Sequence, residues 1–285
     1  MDVATVTTSD RSLLNAVRGT LDGADQALLC VAFVQQRGVH LVEKELKALA
    51  ARGAAARLVV TTTFETTTQA ALGMARGIGV EVRVLNPGSG STYHPKLYLG
   101  SRGGQAQAVV GSANLTGGLA TNVEAAVWMS GRRRDAPIAR AWDWAESLWQ
   151  DPRAQAWQPG AAAEGEEELE PELLALISAA ARKDPVFRTL GPNPQGNLVT
   201  EVTPSEVLVE TTRSRERTGS AASIPAWMFN LAWDELRARG ELSNRTLLDD
   251  LRVHRSSAVS AILARLPPVA VASGKRIVLR WRGPP

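Results

Sequence analysis

The chain has 285 residues, 44% of them hydrophobic and 21% charged, with a formal net charge of +3. That balance excludes a disordered chain and leaves room for two domains. It permits a nucleic-acid partner without demanding one.

QALLCVAFV (26–34) is a continuous apolar run, as in a strand buried on both faces. It carries the chain's one cysteine, Cys30, which excludes an internal disulfide, fits a reducing compartment and reads as a small buried hydrophobe. VHLVEKELKALAARG (39–53) has helical spacing and stops at Gly53, with His40 an ordinary residue at its start. ARLVVTTT (56–63) is a strand ending in a threonine cluster. Thr61–Thr63 and Thr66–Thr68 read as a strand-to-loop transition with local hydrogen bonds. TTQAALGMARGIG (67–79) reads as a helix and VEVRVLN (80–86) as a strand. This alternation implies a largely parallel, helix-covered sheet.

After the PGSGS loop (87–91), YHPKLYLG and AQAVVGS read as consecutive strands joined by an SRGGQ turn, and NVEAAVWMS (122–130) as another strand. Arg132–Arg134 follow it and suit either solvent or a DNA backbone. PIARAWDWAESLWQD (137–151) is an amphipathic helix whose Trp142, Leu148 and Trp149 are expected in packing. QPGAAAEGEEELEPE (158–172) lacks apolar periodicity and reads as an acidic linker. The expected division is residues 1–153, a linker and connecting helix over 154–190, and a second domain over 191–285.

The C-terminal part begins with short strands, LVTEV and VLVETT, around the turn TPSE. The basic loop TTRSRERTGS (211–220) follows. IPAWMFNLAWDELRARG (224–240), SNRTLLDDL (243–251) and HRSSAVSAILARLP (254–267) read as three helices, and VAVASGKRIVLRW (269–281) as a hairpin. Three helices followed by a hairpin is the order of a winged helix-turn-helix, a small α+β module. In such a module Arg252, His254, Arg255, Ser256 and Ser257 would begin the recognition helix, and Lys275 and Arg276 would tip the wing.

His94 and Lys96 stand two residues apart at the start of a strand and share a face. Pro95 between them marks a strand start or edge. Ser112 and Asn114 follow in VVGSANLTGG, and Asn122 and Glu124 are again two apart. These residue types suit phosphodiester chemistry. A neutral imidazole can attack phosphorus, and a second acid must protonate the leaving oxygen. Lys96, Ser112 and Asn114 can hold the charged phosphoryl oxygens. A carboxylate such as Glu124 can orient an imidazole. The three histidines, His40, His94 and His254, are scattered and form no metal-ligand pattern, so no metal or other cofactor is expected.

The combination HPKLYLG, AVVGSANLT, TNVEAAV resembles the phospholipase D superfamily, whose signature is H-x-K followed by G-S-x-N. Upstream, the chain is similar to single-motif nuclease domains found beside helicases and in metal-independent restriction endonucleases. The resemblance covers roughly residues 5 to 150. It implies a mixed α/β sheet flanked by helices, with His94 as nucleophile. Lys96 and Asn114 would hold phosphate with Ser112 in support, and Glu124 would sit behind the histidine. The superfamily's aspartate five residues after the lysine is Ser101 here, which weakens a lipid substrate more than a nucleic acid. The family's catalysts need two such motifs, so one motif implies a homodimer in which two copies of His94 meet across a two-fold axis.

The expected function is therefore a metal-independent DNA endonuclease working through phosphohistidine, with restriction or phage defence as a role by analogy. The alternatives are a phospholipase-type phosphodiesterase on lipids or small molecules, and an inactive DNA-binding regulator. A helicase or methyltransferase partner is left open. No apolar stretch approaches the roughly 20 residues that span a bilayer. The N-terminus MDVATVTTSD lacks the pattern of a secretory signal. The expectation is a cytoplasmic chain with no membrane partner.

Overall fold

The computed structural model describes residues 1–63, 66–88, 91–159, 167–191, 193–211, 220–272 and 277–283. The chain forms two compact units, Met1–Gly165 and Glu166–Pro285.

The first unit is built on an eight-stranded sheet. Its strands are β1 (Asp2–Thr7), β2 (Gln26–Val31), β3 (Ala55–Val60), β4 (Glu81–Leu85), β5 (Lys96–Arg102), β6 (Gln105–Gly111), β7 (Ala125–Arg132) and β8 (Ala154–Ala156). They lie in the order β1-β7-β6-β5-β2-β3-β4-β8. The β2–β3 and β3–β4 pairs are parallel and the other pairings antiparallel. The expectation of a largely parallel sheet is thus corrected. The β-α-β-α-β run does make a parallel core of three strands, but the hairpin-connected strands after it fold back antiparallel along β2.

Five helices accompany the sheet: α1 (Ser12–Leu21), α2 (Gln36–Ala51), α3 (Gln69–Ile78), the short α4 (Gly118–Thr121) and α5 (Ala136–Trp149). α5 buries Ile138, Trp142, Ala145 and Trp149 against Leu28, Cys30, Val59, Leu97 and Leu99. Burying such side chains contributes about 1.5–3 kcal/mol each. Trp142 and Trp149 are core, as their spacing predicts, whereas Trp144 on the same helix is 49% exposed. Cys30 is completely buried, and that burial pushes its thiol up to about 12, so it is an inert hydrophobe. α1 packs on β5 and β6, and Gly100 permits the approach, because a Cβ there would overlap the Thr20 carbonyl. α3 starts at Thr68, whose hydroxyl accepts from Ala71 N at 3.2 Å, and ends at Gly79 with φ 106°.

The strand alternation places one end of every element at a common edge. The carboxyl ends of β1, β2, β3, β4 and β6 meet the amino ends of β5 and β7 there, through pairs such as Val31↔Lys96, Leu97↔Val110, Gly111↔Ala126 and Thr7↔Ala125.

The second unit holds α6 (Pro171–Lys183) and a four-stranded antiparallel sheet of β9 (Val186–Arg188), β10 (Gly196–Val202), β11 (Glu206–Thr211) and β12 (Ala222–Pro225). Helix Ala226–Arg239 follows and ends at Gly240 with φ 75°. Then come β13 (Glu241–Ser243), a π-helical turn Thr246–Asp250, helix Ser256–Leu263, β14 (Val269–Val271) and β15 (Val278–Trp281). β15 lies between β13 and β14, antiparallel to both. Ser243, the last residue of β13, accepts at its Oγ from Thr246 N at 3.0 Å.

Residues expected as linker and connecting helix are divided between the units. β8 pairs with β4 in the first, and α6 belongs to the second. The basic loop residues 212–219 and the hairpin tip with Lys275 and Arg276 lie outside the described residues.

Candidate active site

His94 and Lys96 come together at the sheet edge. Lys96 is the first residue of β5, paired with Val31, and is 9% exposed. His94 precedes the strand and is exposed. The Lys96 ammonium reaches back to 2.6 Å from Nδ1 and 3.0 Å from Nε2 of His94, and donates to the His94 carbonyl at 3.1 Å. Phe33, just beyond β2, meets the imidazole edge-on at 5.6 Å between ring centroids.

Electrostatics follow from this packing. Partial desolvation, and then the Lys96 charge, hold the His94 imidazole below its usual 6.5. Desolvation also lowers the Lys96 ammonium, and the nearby Glu124 carboxylate opposes that shift. The site therefore favours a neutral histidine beside a cation, which suits attack on a phosphate group.

The second cluster lies across β6 and β7. Ser112 Oγ donates to a Glu124 carboxylate oxygen and accepts from Ala125 N at 3.2 Å. Asn122 Nδ2 donates to the other Glu124 oxygen at 3.3 Å. Thr8, at the end of β1, donates its hydroxyl to Asn122 O at 2.6 Å and accepts from Glu124 N at 3.1 Å. Among the described residues no hydrogen bond joins Glu124 to His94 of the same chain. The carboxylate is held by Ser112 and Asn122, and it senses Lys96 through space.

Asn114 is turned so that its Oδ1 accepts from Phe33 N at 3.1 Å, which leaves the amide nitrogen for another partner. The loop bearing Ser112 and Asn114 is clamped from several sides. Leu115 N donates to Phe33 O at 3.2 Å, Gln35 N to Leu115 O at 3.0 Å, and Tyr98 Oη to Ala113 O at 3.0 Å. Gly38 at the start of α2 lets the helix touch this loop, since a Cβ would overlap the Leu115 carbonyl. Gly111 does the same against Ala126.

The sequence reading missed Phe33, Thr8, Tyr93 and Gly38. Only tertiary structure brings them to this edge. Asn122 carried a signal, its spacing from Glu124. Thr61 and Thr63 make the local contact expected, Oγ1 to Oγ1 at 2.9 Å, but they are also tied to the distant Asn86 Oδ1 at 2.6 and 3.1 Å, which the sequence did not suggest. Among the described residues no cluster of three or more His, Cys, Asp or Glu side chains could hold a metal ion. None of their helices is long and apolar enough to cross a membrane.

In the second unit, His254, Arg255 and Ser257 are exposed and Arg252 is half-buried with φ 57°. Ser256 is 3% exposed and is buried with Val259 and Ser260 of the same helix, unlike its neighbours.

No family model matches the chain, and no curated protein matches it. Among solved structures it is similar to Nuc from Salmonella typhimurium, a phospholipase D family member, with 18% identity and a TM-score of 0.44 over 55% of this chain and 98% of that one. It is also similar to NucT from Helicobacter pylori, with 13% identity and a TM-score of 0.44 over 55% and 99% of the two chains. A third likeness is to polyphosphate kinase from Porphyromonas gingivalis, with 15% identity and a TM-score of 0.39 over 66% of this chain and 32% of that one.

Proposed function

We propose that the chain is a phosphodiesterase of the phospholipase D superfamily that cleaves DNA without a metal ion. The observation that carries this reading is the contact of Lys96 Nζ with the depressed-pKa imidazole of His94, at the sheet edge that also presents Ser112, Asn114 and Glu124. His94 attacks phosphorus through a ring nitrogen, the P–O bond to the leaving strand breaks, and the departing oxygen takes a proton. Water then attacks the phosphohistidine, giving its proton to the group that had protonated the leaving oxygen, and the P–N bond breaks and the imidazole is restored. Lys96 and the Asn114 amide hold the phosphoryl oxygens throughout.

The proton donor for the leaving oxygen is His94 of a second copy, which makes the homodimer the working unit. An apolar patch near the site edge supports this. Val110 of β6 and Val127 of β7 are directly paired and each 41% exposed, and Val3 of β1 is 57% exposed on the same face. DNA is favoured over lipid by Ser101 and by the second unit. Its helix–strand–helical turn–helix–strand–strand order, with β15 between β13 and β14, supports a winged-helix module. There His254, Arg255 and Ser257 are exposed and Arg252 is half-buried, and these would meet the duplex.

The test is incubation with DNA, RNA and phosphatidylcholine vesicles in excess EDTA, beside His94→Ala. Cleavage of DNA by the wild type alone is the expected result. DNA binding with no turnover would mark an inactive regulator, cleavage of the vesicles alone a lipase, and rescue by Mg²⁺ after EDTA inactivation a different mechanism.

A further inference from the structure

The two residues of the H-x-K pair are positioned by different means. Lys96 lies in the ladder, where pairing with Val31 fixes it. His94 lies outside the ladder, on the connection from β4 to β5. In the sheet those strands are separated by β3 and β2, so this connection crosses two strand ends before it delivers the imidazole. An exposed side chain on such a crossing needs its own anchor to stay within the fraction of an ångström that catalysis requires.

The anchor is the preceding residue. Tyr93 is 6% exposed and packs among Leu28, Cys30, Val59, Leu85 and Leu97. Its hydroxyl donates to the Val59 carbonyl at 3.0 Å. A phenylalanine would fill the same apolar space, so the hydroxyl sets the depth and rotation of the ring. On the other side of His94, the Pro95 carbonyl accepts from Ala32 N at 2.9 Å. The start of the connection is tied by Asn86. Its Oδ1 accepts from Thr61 Oγ1, Thr62 N and Thr63 Oγ1 at 2.6, 3.2 and 3.1 Å, and its Nδ2 donates to Thr62 Oγ1 at 3.1 Å.

We infer that Tyr93 is the positioning residue of His94, holding the imidazole against Lys96 through its bond to Val59, and that Asn86 secures the start of the same connection. The role rests on the phosphodiesterase reading for its effect on rate, but not for its effect on the imidazole.

The experiment compares wild type, Tyr93→Phe and Asn86→Ala by cleavage kinetics and by NMR titration of the His94 ring. Lys96 is the charged group in contact with that ring, and Glu124 acts on Lys96. Tyr93→Phe keeps the core filled, so the fold survives. It should lower kcat about tenfold with KM within about twofold, because misplacement of a reacting group costs rate more than binding. The His94 midpoint should rise toward 6.5 as the ring drifts from the ammonium. Asn86→Ala, which leaves the core untouched, should shift both readouts in the same direction by less. Wild-type kcat with an unmoved titration in Tyr93→Phe overturns the assignment. So does a loss of activity that only tracks the folded fraction. If wild type cleaves no phosphodiester while Tyr93→Phe still moves the titration, the proposed function fails and the positioning role stands.

Discussion

Lys96 Nζ lies 2.6 Å from Nδ1 of His94 and 3.0 Å from Nε2, so one ammonium sits against the nitrogen-bearing edge of the ring. Protonating the imidazole there places two positive charges side by side. Partial desolvation of the ring, and then this charge, hold the folded-state midpoint below 6.5, so the neutral imidazole persists to lower pH than in a free histidine. The acid limb of kcat/KM should accordingly lie below pH 6.5. Lys96→Met, followed by NMR, should raise the His94 midpoint and abolish cleavage. A midpoint that stays fixed in Lys96→Met would show that the lysine does not tune the ring.

Gly38 is the second point at which geometry leaves no slack. Its neighbour is backbone, the Leu115 carbonyl and the Thr116 nitrogen, so a methyl group cannot be accommodated by turning a side chain. Gly38→Ala must push α2 from the loop that carries Asn114. The expected cost is about 3 kcal/mol in denaturant unfolding, at the upper end of overpacking penalties. A fall in kcat should accompany it. Gly77→Ala is the control, because nothing lies within reach of a Cβ there.

Ser112 connects the two halves of the β6–β7 cluster by donating to Glu124 and accepting from Ala125 N. Ser112→Ala removes both bonds at an exposed site, and the expected stability loss is about 1 kcal/mol. The effect on rate should be larger, about tenfold or more, because Glu124 loses its orientation near Lys96. Glu124→Gln can still accept the hydroxyl but drops the charge that supports the Lys96 ammonium. It should lower kcat and leave thermal stability within about 0.5 kcal/mol of wild type. Steady-state kinetics and thermal unfolding of the two variants separate these effects.

How much of this was legible in the sequence differs from residue to residue. His94 and Lys96 could be paired from their spacing, but not for the reason strand alternation supplies: His94 precedes β5, and the lysine reaches back to it. Ser112 and Glu124 could be proposed as neighbours of that pair, but the bond between them could not, since it depends on the antiparallel register of β6 and β7. β1 left no pattern: its residues are exposed from Asp2 to Thr5, and it pairs along one side with a strand more than a hundred residues away. α1 was likewise unread. The position of Tyr93 was hidden for a different reason. Its ring belongs to the α5 side of the sheet, and that packing appears only when β2, β3 and β5 are side by side. The burial of Ser256 between exposed Arg255 and Ser257 could not be read from its polar neighbours in the sequence.

The exposed residues ahead of helix Ser256–Leu263 give a test of the second unit by itself. Arg255 and His254 are exposed, whereas Ser256 is buried. Arg255→Ala should weaken DNA binding and reduce the salt slope by about 1 if the arginine meets a phosphate. His254→Ala and Ser257→Ala should weaken binding in a sequence-dependent way if they reach base edges. Cleavage of a short oligonucleotide at saturating concentration should be unaffected by all three. Anisotropy titrations over a range of salt provide the measurement, and unchanged affinity in all three variants would remove this face from the DNA contact.

The proton balance at His94 leads to the final prediction. In the proposed reaction one imidazole is neutral and attacks, and another is protonated and releases the leaving oxygen. The chain has three histidines. His40 lies on α2, bonded through Nδ1 to Glu43 at 3.0 Å. The proposed mechanism takes the proton from His94 of a second copy, brought in by a symmetric contact. Val110 and Val127, paired with each other and half-exposed near the site edge, are the apolar surface proposed for that contact. Val127→Lys places a charge at its centre, where desolvating an unpaired ammonium costs several kcal/mol. The expected outcome is a monomer by sedimentation, with Lys96 and His94 still in contact by NMR and cleavage lost. For the wild type, specific activity should fall on dilution in step with dissociation. Full activity of a demonstrated monomer would place the proton donor within one chain and end the two-copy mechanism.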